Sequence, residues 1–391
     1  MNLLKIGIAN IRSKPWNTFL SLLLLAFGVG IISLLLIVQK QLQDQFDRNI
    51  KDIDLVVGAK GSPLQLILSA VYQVDAPTGN ISMMDAKRIS KKPYIESAIQ
   101  LAYGDNYEKY RIVGTEFAYP EHYGATVATG RLWEKELEAT IGSKVAEESG
   151  LAIGDTFFSS HGLVDQTDVH TEYAFEVVGI FEQSNSVVDQ LILTDITSLW
   201  AVHGTLDAPL EEQEITALLL TNRNSLAPFR LRAETDNSKI QVAIPAIEIN
   251  RLTENFGLGL TALTIIGLVI MVISFISVFI SLYNSLKDRK YELALIRTMG
   301  GSRTTLLVLI LQEGLILAVV GFILGVVFSR VAMLILSARM DDNFHYSLSD
   351  LGFVQWEWFM LALTIFVGIL ASLLPAIRAW KIDISKTLAD G

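Results

Sequence analysis

Four long apolar runs interrupt an otherwise mixed chain. Residues 17–38 hold 22 positions without a charge and residues 258–286 hold 29, while 306–329 is broken only by Glu313 and 359–374 carries no charge. A helix of about 20 apolar residues crosses roughly 30 Å of hydrocarbon. The pattern therefore predicts spans over 16–38, 258–286, 304–330 and 358–375, with Trp356 and Trp358 as interfacial anchors beside the last. The first run is longer than a signal-peptide apolar region, and the QKQLQDQ that follows lacks a small-x-small site, so it reads as a retained anchor. The second run would be about 44 Å long as a helix, more than a bilayer core needs, and should extend as a stalk.

Between the first two runs, over 39–257, the period changes. Leu42, Phe46, Ile50 and Ile53 recur at helical steps among polar residues, which predicts an amphipathic stalk continuing the first span. LQLILSAVYQV is apolar but too short to span. It is either a core helix or a surface element touching lipid or substrate, with Leu66, Ile67, Leu68 and Tyr72 as the candidate contacts. Further on, strand-like YRIVGT and ITALLL alternate with helical MMDAKRIS. Over 130–205, a helix ended by Gly150, a turn at Gly154-Asp155 and the runs YAFEVVGIF and DQLILTDI predict an inserted β-rich subdomain. The fold class is an α-helical membrane protein with four transmembrane helices and one large α+β domain.

Composition agrees with this reading: 51% of residues are hydrophobic, 18% are charged and the mean hydropathy is +0.42. Cysteine is absent, which excludes disulfides and thiolate metal sites. Charge sets the orientation. Residues 39–257 contain 32 acidic and 18 basic residues, a net −14, whereas the rest of the chain carries 9 acidic and 13 basic, a net +4. Basic flanks stay inside, so the expected topology has both termini in the cytoplasm (1–15 and 376–391), the acidic domain outside and a short outer loop at 331–357.

Residues 287–303, KDRKYELALIRTMGGSR, form the inner connector. Tyr291, Leu295 and Met299 fall at steps of four, so a helix here has an apolar stripe and a basic face, and Gly300-Gly301 ends it. Glu313 is the acidic residue inside a predicted span, a candidate for an ion pathway or for a buried polar pairing near the inner face. Gly321 and Gly325 form a GxxxG, and Gly28 and Gly30 give the first span a small face, both suited to close helix packing. His161, Asp165, Asp168 and His170 lie in one loop-like stretch. These residue types can ligate zinc, but the spacing fits no fixed motif, and a solvated hairpin loop is the simpler reading. The chain has no Walker A, HExxH or Ser/His/Asp elbow, which argues against catalysis by this chain and leaves no cofactor to hold. Nothing in it suggests nucleic acid as a partner.

Layout and motifs together resemble the MacB/FtsX-type (type VII) permeases of ABC transporters, which include the lipoprotein-releasing permeases. The similarity covers the whole chain and is most specific in RKYELALIRTMGGSRTTLLVLILQEGLIL and in LLPAIRAWKIDISKTL, although the tail lacks the proline usual near Ile384. The resemblance implies mechanotransmission in a bacterial inner membrane. Two copies of a separate ATPase, using ATP and Mg, would dock on Arg289, Tyr291, Glu292, Leu295, Arg297, Met299 and Gly300. A second permease chain, the same or related, would complete a dimer, with a periplasmic adaptor or carrier as a further partner. The substrate would be hydrophobic, a lipoprotein or peptide-like. Two alternatives stay open: a transmembrane regulator of a periplasmic partner such as a cell-wall hydrolase, and a component of zinc handling.

Overall fold

The computed structural model describes residues 3–13, 15–161, 169–235, 239–344 and 352–382. They divide into an α+β unit, Gln43–Glu254, and a membrane unit made of Met1–Leu42 with Asn255–Gly391. In chain order the elements begin with α1 (Leu3–Ser13), α2 (Pro15–Ile50), β1 (Leu55–Ala59), α3 (Pro63–Ala70), β2 (Ile81–Ser82), α4 (Met83–Ser90), β3 (Ile95–Tyr107), β4 (Tyr110–Thr115) and α5 (Ala118–His122). Then come β5 (Val127–Gly130), β6 (Glu138–Ile141), α6 (Ser143–Ser149), β7 (Thr156–His161), β8 (Val169–Phe181), β9 (Leu191–Asp195), α7 (Ile196–Val202), β10 (Glu214–Ile215) and β11 (Ala217–Asn222). The chain closes with α8 (Ala227–Thr235), β12 (Ile240–Ala243), α9 (Pro245–Asp288), α10 (Lys290–Thr298), α11 (Arg303–Phe344) and α12 (Gln355–Trp380).

The continuous apolar runs LVV, ALLL and LIL are those of strands covered on both faces. Leu55, Val57, Ile112, Ile192, Leu218 and Leu220 point to one side of the main sheet, beneath α4, α7 and α8. Val56, Val113, Leu193 and Leu219 point to the other, where α3, α5, the last turns of α2 and Ile249 of α9 close over them. Each such side chain contributes about 1.5–3 kcal/mol on burial. The strand order is β12-β1-β11-β3-β4-β9-β6-β8-β5, with β7 joined to β3 and β8, and β2 pairs separately with β10.

The segment 130–205 is β-rich, and its strands extend the main sheet: β9 pairs in parallel with β4, Ile112 opposite Ile192. An edge on β4 would otherwise expose unpaired backbone groups, and β9 satisfies them. The stretch that carries the candidate substrate contacts takes the core-helix alternative. Leu66, Ile67 and Tyr72 lie buried in the core and Leu68 packs against it. Their helix is pressed onto the sheet where Gly58 leaves room: a Cβ there would stand 2.5 Å from Leu66 Cδ1. Ser62 Oγ caps this helix by accepting from Gln65 N, and Pro63 suits its first turn.

Four helices of the membrane unit are long and apolar enough to span: α2, α9, α11 and α12. Half of the most apolar stretch of α11 is buried, against 22% for α9, so α11 is the centre and α9 is the exposed helix. Small residues bring the partners of α11 close. A Cβ on Gly325 would come within 2.7 Å of Val29 Cβ, and one on Gly368 within 2.5 Å of Ala318 Cβ. The helix that carries the third span, α11, runs to Phe344, and α12, which carries the fourth, runs past Pro375 to Trp380, where Ala376 and Ala379 join a buried cluster with Leu306 and Ile310. Residues 3–13, expected only as a basic flank, form the helix α1.

Candidate functional site

The connector folds as the nine-residue α10, with two apolar faces rather than one. Leu293 and Ala294 are buried, and Leu293 packs with Leu286, Leu306 and Leu309. Tyr291, Leu295 and Met299 face outward, and Met299 is 81% exposed. A short helix whose inner face is already satisfied has no need of an outer apolar stripe for its own folding. The helix ends in a Schellman turn: Gly301 N donates to Ile296 O at 2.9 Å, Gly300 N donates to Arg297 O at 3.2 Å, and Gly300 adopts φ +95. Glycine is required at that φ, so the Gly-Gly pair sets where the stripe stops.

Beneath α10 lies a buried polar cluster that joins three elements. Glu313 of α11 is 2% exposed. Its Oε1 accepts from Asn10 Nδ2 of α1 and lies 3.4 Å from Arg289 Nη1 at the head of α10. Arg289 Nε also donates to Glu292 Oε2 at 3.0 Å. The arrangement fits a pairing role for Glu313: with both partners fixed it anchors α1 and the connector to one helix. Nε and Nη1 of Arg297 are buried without an acceptor among the described residues.

A second cluster lies further along the same helix, about 25 Å from Glu313 at ~1.5 Å per residue. Arg330 Nη1 and Nη2 donate to the two oxygens of Glu357, each at 2.8 Å, and Nη2 also donates to Gly352 O at 2.9 Å. Ser33 Oγ of α2 donates to Glu357 Oε1 at 2.5 Å, and Val354 N donates to Oε2 at 2.9 Å. Glu357 is fully buried in the first turn of α12, so Glu313 is not the sole acidic residue inside a span. The sequence pattern puts Arg330 at the last position of the third span, 304–330, and Glu357 at the last position of the outer loop, 331–357. The legible signal was a glutamate three residues into a helix, where a carboxylate reaches back to the cap backbone.

Asp165 and Asp168 of the metal-ligand candidates lie outside the described residues. Of His161 and His170, only the positions in β7 and β8 are described, His161 opposite Asp105 in the pairing with β3. Among the described residues no group of three or more His, Cys, Asp or Glu is placed to hold a metal ion.

A different histidine is engaged. His203 Nε2 lies 3.4 Å from Asp105 Oδ1, and Nδ1 lies 2.8 Å from Leu199 O, so both ring nitrogens face oxygens. Asp105 is fully buried and also accepts from Ser159 Oγ at 3.0 Å. The hydrogen bond that His203 donates to Asp105 outweighs desolvation and holds the imidazole pKa above its ordinary 6.5. A raised folded pKa means that the pairing stabilises fully below about 6.5 and fades as pH rises through the folded value. The melting temperature of the α+β unit in the full chain should therefore fall between pH 6 and 8.5, and His203→Gln should remove that component; an unchanged profile in the variant would refute the pairing.

Comparison with known proteins places these features. The MacB-like periplasmic core domain family matches residues 18–234, and the FtsX-like permease C-terminal family matches residues 264–384. The macrolide export ATP-binding/permease protein MacB 1/2 of Paracoccus denitrificans (strain Pd 1222) is 21% identical over 416 residues, covering 99% of this chain and 58% of that protein. An uncharacterized ABC transporter permease protein of Mycobacterium tuberculosis is 24% identical over 297 residues, covering 70% of this chain and 33% of its own length. The chain thus spans only 58% and 33% of these two relatives. Among solved structures, the periplasmic region of MacB from Actinobacillus actinomycetemcomitans is similar over 53% of this chain and 96% of its own, at 13% identity and a TM-score of 0.35. The extracellular domain of the transporter YknZ from Gram-positive bacteria is similar over 48% and 98%, at 13% identity and a TM-score of 0.31.

Proposed function

Because the chain belongs to the MacB/FtsX-type permeases of ABC transporters, we propose that it is a mechanotransmitting subunit, driven by a separate ATPase that docks on α10. The observation that carries this reading is the outward stripe of Tyr291, Leu295 and Met299 on a helix whose opposite face is already buried. Two ATPase copies, each using ATP and Mg, would bind two permease chains. Their closure would displace α10 and, through Arg289 and Glu313, the helix α11.

α2 and α9 support the second half of the reading. Each is one unbroken helix by residue range, with its membrane part in one unit and its other end in the sheet unit. An intact helix carries displacement along its length without letting substrate through the bilayer. In this reading the sheet unit is periplasmic, the termini are cytoplasmic and the membrane is the bacterial inner membrane. The work done outside is extraction or export of a hydrophobic, lipoprotein or peptide-like substrate, with an adaptor or carrier as the next partner.

The test uses the permease in nanodiscs with its nucleotide-binding protein. Replacing Tyr291, Leu295 and Met299 together by Ala should weaken ATPase binding at least about tenfold, because a few apolar anchors dominate such interfaces. Equal binding by the triple variant and the wild type would reject α10 as the docking site.

A further inference from the structure

A cavity of about 310 Å³ opens in the α+β unit, far in sequence from the connector. Its wall is built from the end of α7, the strand β10 and the bend of β3, and includes Trp200, His203, Glu212, Glu214, Asn80 and Gly104. That volume is at the small end of ligand-sized cavities, which run from about 300 Å³ upward.

The wall is held in place by its own hydrogen bonds. Trp200 Nε1 donates to Glu214 O at 2.8 Å, which fixes the indole, and Asn80 Nδ2 donates to Glu214 Oε2 at 2.9 Å. Gln213 Nε2 donates to Leu206 O at 2.8 Å, which closes the loop carrying Glu212. The imidazole of His203 lies 3.4 Å from Asp105 Oδ1 and is engaged with that carboxylate. Glu212 and Glu214, both exposed, line the cavity together with the Trp200 indole, and Leu199 and Ala102 add apolar surface.

Carboxylates beside an immobilised indole attract a cation that also has an apolar body: the carboxylates pair with the charge and the ring quadrupole adds to it. We propose that this cavity binds an organic ammonium ion, an aryl- or alkylammonium small enough to fill about 310 Å³. The proposal goes beyond the coupling role and does not depend on it, since no ATPase is needed for binding.

Gly104 supplies the decisive variant. A Cβ built there meets nothing within 4 Å, so a leucine enters the open space without striking the backbone. The probe is phenethylammonium, added to the full chain in zwitterionic nanodiscs and followed by saturation-transfer NMR against empty nanodiscs. Its isosteric counterpart of opposite charge is 3-phenylpropionate.

Phenethylammonium is expected to bind saturably to the wild type. Gly104→Leu should weaken it at least about tenfold, and Glu212→Gln combined with Glu214→Gln should do the same, while 3-phenylpropionate fails to compete. Glu212 is exposed, so its replacement leaves folding intact and keeps the test decisive even if the leucine disturbs the wall. Absence of saturable binding, full retention in both variants, or equal binding of the carboxylate probe would each overturn the assignment.

Discussion

Arg330→Leu is expected to cost the membrane unit about 3–5 kcal/mol, the usual penalty for stripping one partner from a buried ion pair. Glu357 is fully buried and receives two of its hydrogen bonds from Arg330, both at 2.8 Å. Without the guanidinium, only Ser33 Oγ and Val354 N remain to compensate a full negative charge. The double variant Arg330→Leu with Glu357→Leu should recover most of the loss, because no charge is then left buried. Reversible unfolding in bicelles measures both. A single variant within about 1 kcal/mol of wild type, or a double variant as damaged as the single, would show that the cluster does not hold α2, α11 and α12 together.

Glu313→Leu is the second large effect, and it separates binding from coupling. The change leaves Arg289, only 9% exposed, with Glu292 as its remaining carboxylate and removes the acceptor of Asn10. ATPase affinity should persist, because Tyr291, Leu295 and Met299 lie on the other face of α10. Permease-dependent stimulation of ATP hydrolysis should fall at least about tenfold, since α10 loses its buried tie to α11. Glu313→Gln keeps an oxygen acceptor and should fall between the two. Normal stimulation in Glu313→Leu would reduce the cluster to a structural contact; loss of ATPase binding instead would mean that α10 itself had unfolded.

Much of the architecture was legible from local pattern. Uninterrupted apolar length announces a spanning helix, because hydrocarbon leaves each backbone polar group to be satisfied within its own segment. Turn chemistry is local in the same way: the αL residue that closes α10 had to be glycine, and Gly300-Gly301 marked its end. The stretch LQLILSAVYQV was harder, because an apolar helix of that length suits either a core or a surface. Only Gly58, which lets Leu66 seat against β1, decides for the core.

What the sequence determined by itself was therefore the set of segments: four spans, a connector with an apolar stripe, and an acidic domain of mixed strands and helices. These follow from period, run length and charge, which are properties of neighbours along the chain. What only the tertiary structure decided was which distant residues meet. Asn10 and Glu313, 303 positions apart, share a hydrogen bond, and Ser33 reaches Glu357 across 324. The 130–205 strands joined the main sheet because β4 offered an edge that β9 could fill. Burial is what gives each of these contacts its weight, and burial is set by the neighbours that folding brings in rather than by those the chain supplies.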